Sequence, residues 1–124
     1  MDFGAHTYSH FNLAELGAGA AEADLRRARD VMEERLAERI TLMAYPFGKP
    51  RRHFTDQTVS LVAKVGYEYA AAIICRRVRD LDSPLVIPRF YVMNDGLNTL
   101  RDKTSGVWDP LGYVQERLPG ILRE

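Results

Sequence analysis

Three short apolar runs alternate with helix-period stretches, and this order leaves the chain few ways to fold. Ile40-Thr-Leu-Met-Ala-Tyr45, residues 67–74 and residues 85–92 read as strands, the first of them as a buried parallel strand. Phe3-Gly4-Ala5 reads as the tail of an earlier strand. Between residues 21 and 39, Leu25, Ala28, Met32 and Leu36 recur at three- and four-residue spacing, which predicts a surface helix packing one stripe on a sheet. Its Arg, Glu and Asp residues read as a solvated face without a partner site. A second helix is expected after a cap at Thr55 or Asp56, with Val59, Val62 and Ala63 inward and Leu61 and Val65 flanking them. Gly66 would stop it in the left-handed conformation. Strand, helix, strand, helix, strand, strand is an α/β order with parallel pairing. It amounts to about half the strands of a seven- or eight-stranded barrel.

The connections are read from turn chemistry. Asn12 is a candidate helix start, and residues 17–20 (Gly-Ala-Gly-Ala) interrupt any helix begun there. Pro46 ends one strand, and Lys49-Pro-Arg-Arg52 is a basic loop. Residues 78–83 form a polar connection, and Pro88 suggests an edge strand or a bulge. Asn94-Asp95-Gly96 is a turn, Leu97 and Leu100 begin a short helix, and Trp108-Asp109-Pro110 leads into an amphipathic piece through Leu118, closed by Pro119-Gly120.

At 124 residues the chain is a single domain at most, and 17 basic against 17 acidic residues ask for neither nucleic acid nor an anionic membrane. The single Cys75 excludes an internal disulfide and reads as a small buried hydrophobe. No run is long enough to span a membrane and no signal peptide precedes the first strand. The expected location is therefore cytoplasmic by default, or exported if a further N-terminal segment exists.

Chemistry concentrates in the first ten residues. His6 and His10 stand four apart, with small Gly4 and Ala5 before them and polar Thr7 and Ser9 between. Neutral imidazoles at that spacing on one helical turn can point at one metal ion. A third ligand must come from elsewhere. His53, in the basic loop, reads as a surface residue, and Asp95 as a turn former.

His6-Thr7-Tyr8-Ser9-His10 followed by Leu42-Met-Ala-Tyr-Pro-Phe-Gly48 resembles the polysaccharide deacetylase family, the NodB-homology domain of carbohydrate esterase family four. That family carries a His-Ser/Thr-x-x-His metal motif at one strand end and a Pro-Tyr/Phe-Gly motif at the next. Residues 65–70 and 87–90 also look like the family, less specifically. The resemblance implies a distorted β/α barrel and metal-dependent hydrolysis of N-acetyl groups on an acetylated glycan. It implies His6 and His10 as ligands to a divalent metal, zinc first and cobalt or nickel next. Tyr45, Pro46, Phe47 and Gly48 would line the substrate groove, with the Phe47 N–H as oxyanion donor.

Three departures accompany the resemblance. The family's Asp-Asp motif lies upstream of the histidines, where this chain has only Asp2, which is not a substitute. The arginine that many members carry two residues before the motif's proline is Ala44 here. The late Leu-x-His motif has no counterpart, and Asp109 beside Trp108 matches the family's Asp-Trp pattern only in reverse order. Residues 1–124 are therefore expected to be one partial domain, inactive alone, with an open sheet edge prone to self-association. The competing expectation is a non-catalytic remnant that acts, if at all, as an interaction module.

Overall fold

The computed structural model of the chain describes residues 1–118. Its centre is a parallel sheet of four strands, β1 (Gly4–Ala5), β2 (Leu42–Ala44), β3 (Tyr69–Ile73) and β4 (Ile87–Arg89), in the order β1-β2-β3-β4. The sheet is open, as expected for a partial barrel. Register places Ala5 beside Met43, Met43 beside Ala70, and Ala72 beside Pro88. These residues share one face, and all are buried. The opposite face is only half-covered at Leu42, Ala44, Ala71, Ile73 and Ile87, and Tyr69 on it is exposed. The run at 40–45 is thus not buried on both sides as the sequence suggested; through β2 it alternates, with Met43 and Tyr45 inward, and Ile40 is buried ahead of the strand. Pro88 sits on the outer strand β4, where its missing N–H costs no ladder bond.

Helix α1 (Ala18–Leu36) begins within the Gly-Ala-Gly-Ala stretch, with Gly17 as its cap residue. The small residues therefore open the helix instead of interrupting it. Its buried stripe is Ala21, Leu25 and Ala28, with Met32 packed partly against the core and Leu36 already at the surface. Asn12 starts no helix. Its side chain accepts from the Ala14 N–H at 3.1 Å and closes a turn, the use of asparagine that competes with helix.

Helix α2 (Asp56–Val65) packs on α1 and joins the same core. Thr55 caps it reciprocally with Thr58, and Gly66 ends it at φ 106°. A Cβ at Gly66 would meet the Arg29 guanidinium at 2.7 Å, a group that donates to the Val65 carbonyl. The inward residues are Thr58, Val62 and Val65; Val59 is half-buried, and Ala63, expected inside, is exposed. The buried stripe Thr58, Val62 and Val65 follows four- and three-residue spacing and begins at the capping-box Thr58.

Beyond β4 come α3 (Leu97–Ser105) and α4 (Asp109–Arg117); the expected Pro119-Gly120 closure lies outside the described residues. Helix α4 is fastened to the end of β3. A Cβ on Gly112 would lie 2.6 Å from the Arg76 Cβ, so only glycine permits this approach. Arg76 is 2% exposed and donates to Glu116 (3.0 and 2.8 Å), Asp82 (2.7 and 2.8 Å) and the Arg77 carbonyl (3.0 Å). Those five bonds use all five guanidinium donors. The Arg76 guanidinium beside Asp82 holds that carboxyl down at about 2. The polar connection read at 78–83 is thus half of a buried ionic clamp. Cys75 is only half-buried, and its N–H donates to the Gln115 side chain at 2.9 Å.

Candidate metal centre

His6 is the residue directly after β1. Extending the β1–β2 register by one step sets it across from Ala44, and the His6 Nδ1–H donates to the Ala44 carbonyl at 2.8 Å. That bond fixes the tautomer and leaves a lone pair on Nε2. His10 Nε2 stands 3.2 Å from this atom, with ring centroids 4.9 Å apart and planes at 60°. Both rings are exposed.

The turn joining them is not helical, contrary to the sequence expectation. Thr7 (φ 60°) and His10 (φ 56°) are left-handed, and Thr7 Oγ1 accepts from the His10 N–H at 3.1 Å. A non-glycine residue held there costs about 1–2 kcal/mol. The conformation is over-determined from α1. The Asp24 carboxylate accepts the Tyr8 N–H at 2.9 Å and the Ser9 N–H at 3.0 Å. Arg27 donates to the Tyr8 hydroxyl at 3.0 Å and lies 3.9 Å over its ring. The sequence, by contrast, suggested a wholly solvated helix face. No local signal marks these contacts, because the bonds join residues fifteen or more apart in the chain.

The donor pair fits a divalent ion. Two nitrogens each about 2.0–2.1 Å from one tetrahedral metal stand roughly 3.3 Å apart, close to the observed spacing. Without a cation, a proton on one of the two nitrogens is needed to relieve their facing lone pairs. Among the described residues no third His, Cys, Asp or Glu completes a cluster around them.

Beside the pair lies the end of β2. Phe47 is left-handed (φ 59°), and the Gly48 N–H donates back to the Pro46 carbonyl at 2.7 Å, closing a γ-turn. Gly48 is itself at φ 64°, and a Cβ there would lie 2.8 Å from the Ile73 side chain, so this turn presses directly onto β3. Among the described residues the Phe47 N–H donates no backbone hydrogen bond. The Phe47 ring is half-exposed and sits between His10 (5.0 Å) and His53 (5.3 Å). His53 accepts the Lys49 N–H at 3.1 Å and is half-buried, not a free surface residue. Burial lowers its pKa; a hydrogen bond with the Phe47 backbone opposes this, and the nearby Arg52 and Lys49 cations reinforce it. It is neutral at neutral pH.

A family model described as polysaccharide deacetylase matches residues 1–70, a stretch that includes the histidine pair and the Pro-Phe-Gly turn. The chain belongs to the polysaccharide deacetylase family. Its fold is similar to the Streptococcus pyogenes deacetylase PplD in complex with acetate (TM-score 0.72, 19% identity, 82% of this chain and 43% of that one). It is also similar to IcaB from Ammonifex degensii (TM-score 0.64, 20% identity, 91% and 46%). A third is a de-N-acetylase from Aggregatibacter actinomycetemcomitans (TM-score 0.59, 15% identity, 69% and 31%). The chain thus spans less than half the length of each. No curated protein matches it.

Within this deacetylase-family chain, the structure brings together His6, His10 and Phe47 and adds His53. Tyr45 and Pro46, expected to line a groove, are buried instead. The Tyr45 ring stacks on Phe54 at 3.9 Å, its hydroxyl donates to the Leu85 carbonyl at 2.9 Å, and burial pushes its pKa up. Gly48 is buried as well, so of the four loop residues only Phe47 presents side-chain surface. The spare carboxylates are engaged elsewhere. Asp95 pairs with the buried Lys103 at 2.5 Å, and Asp109 accepts from the Arg77 N–H (2.8 Å) and Nε (3.0 Å), which holds its carboxyl below the usual range. Asp2 is exposed. No helix among the described residues is long and apolar enough to cross a membrane.

Proposed function

We propose that this chain carries the metal-binding and carbonyl-facing part of a hydrolase that removes N-acetyl groups from an acetylated glycan. The observation that carries the reading is the convergence of His6 Nε2 and His10 Nε2 at 3.2 Å beside the outward-turned Phe47. Acetate, the product such a reaction releases, accompanies the similar Streptococcus pyogenes enzyme.

His6 and His10 would hold the ion, zinc first. When bound, it would polarise the amide carbonyl and acidify a water. The residues of this chain do the rest. Ala44 keeps the His6 lone pair aimed at its partner. Phe47 offers an N–H without a backbone acceptor where negative charge would develop on the carbonyl oxygen. Its half-exposed ring offers an apolar face to a sugar, while Tyr45, Pro46 and Gly48 fix the turn that presents both. Among the described residues no third His, Cys, Asp or Glu joins the pair, so the chain by itself is expected to bind metal weakly and to leave acetamides intact. The unpaired outer edge of β1 offers a route to self-association or to a complementing strand.

Calorimetric titration of the purified chain with zinc, beside His6→Ala/His10→Ala, tests this. One-to-one binding lost in the double variant supports the reading. Binding indistinguishable from the variant would favour the second reading, a non-catalytic interaction module, which draws on the lack of a third donor near the pair.

A further inference from the structure

The histidine pair is held by a helix that contributes no ligand to it. Residues 6–10 form a turn with two left-handed non-glycine residues, a conformation the chain does not adopt unaided. Both Asp24 carboxylate oxygens are spent on that turn, one on the Tyr8 N–H and one on the Ser9 N–H. Three residues on, Arg27 grips the Tyr8 hydroxyl and ring. Positions three apart lie on one helix face, so a single stretch of α1 presents both grips to the same turn. The helix is anchored in turn by Leu25, fully buried between the two.

We infer that Asp24, assisted by Arg27, is a positioning residue for the His6–His10 pair. It does not ligate and is not a base, because both its oxygens accept backbone N–H groups. Its role is to set the tilt of the peptides at Tyr8 and Ser9, which determines where His10 re-enters relative to His6. His6 is fixed independently, through Ala44. Loss of Asp24 therefore frees one ligand of the pair and leaves the other in place. The inference rests on the metal reading above for its consequence, although not for its geometry.

The test is cobalt(II) titration of the chain, read by the visible absorption of the bound ion, for wild type, Asp24→Ala, Asp24→Asn and His6→Ala/His10→Ala. Amide hydrogen exchange without metal is measured in parallel. Asp24→Ala should weaken cobalt binding about 10- to 100-fold, the usual loss when an outer-shell partner is removed. Asp24→Asn keeps one acceptor oxygen and should fall between. The Tyr8 and Ser9 amides should exchange faster in Asp24→Ala, while those of Val62 and Ala72 stay as in wild type. Equal cobalt affinity in wild type and Asp24→Ala would overturn the inference. If wild type binds no cobalt, the metal reading fails, and exchange alone decides: unchanged Tyr8 and Ser9 rates overturn the positioning role, and faster rates uphold it.

Discussion

Two strand ends of this sheet carry polar clusters of opposite character. After β3, Arg76 is buried and every one of its donors has an acceptor within the chain. After β1, His6 and His10 are exposed and turn their Nε2 atoms toward each other with one proton at most between them. The first cluster is closed: its charges are matched, and nothing remains for a ligand. The second is open to solvent and held by one ring-to-ring hydrogen bond, which a cation between the two nitrogens would replace. The contrast is between a buried cluster whose charges are matched within the chain and an exposed pair whose two nitrogens converge.

The largest expected effect falls on the closed cluster. Arg76→Ala removes four hydrogen bonds to Asp82 and Glu116, leaves Asp82 with Arg79 alone, and should cost about 3 kcal/mol in urea unfolding. A loss below about 1 kcal/mol would mean the clamp is dispensable and the contrast is misdrawn. Gly48→Ala should cost about 2–3 kcal/mol, since the left-handed backbone and the contact with Ile73 both oppose a Cβ. Its unfolding midpoint against wild type measures this. Acid acts on the clamp with a defined sign. The Asp82 carboxyl is lowered from 3.8 to about 2 in the folded chain, so its contribution is complete above pH 4 and is lost as pH falls through 2. About 2 kcal/mol should disappear over that window, and Asp82→Asn should flatten the dependence. The smallest effect belongs to the open cluster. His6→Ala should shift metal-free stability by no more than about 0.5 kcal/mol, yet abolish any stabilisation by added zinc. A large metal-free loss would make His6 a structural residue and collapse the contrast.

The two clusters are unequally legible in the sequence. The strand–helix order, the Thr55 cap and the Gly66 stop are written in local spacing, and each stands where that spacing placed it. The turn between the histidines reads as helical and is not, because i and i+4 spacing suits a helix but does not require one; Thr7 and His10 adopt left-handed backbone instead. Tyr45 looks like groove lining, since an aromatic before Pro-Phe-Gly gives no sign of which way it faces; alternation along β2 turns it inward. Arg76, Asp82 and Glu116 do not stand out in the sequence. Two lie near a stretch that reads as a loop, and the third is forty residues from its partner. Asp24 escapes notice for the same reason. Pairings at such separations are decided by topology, and composition carries no trace of them.

The contact between His6 and residue 44 is made by a backbone carbonyl. A peptide oxygen is blind to the side chain beside it, so position 44 can be exchanged without releasing the ring. Ala44, where the family resemblance leads one to expect arginine, therefore leaves that anchor intact. Only two peptide links further along the same strand end lies the Phe47 amide. The imidazole and the amide are thus gauged from one short piece of main chain. Side chains along this rim can therefore be exchanged while the distance across it is kept by the main chain.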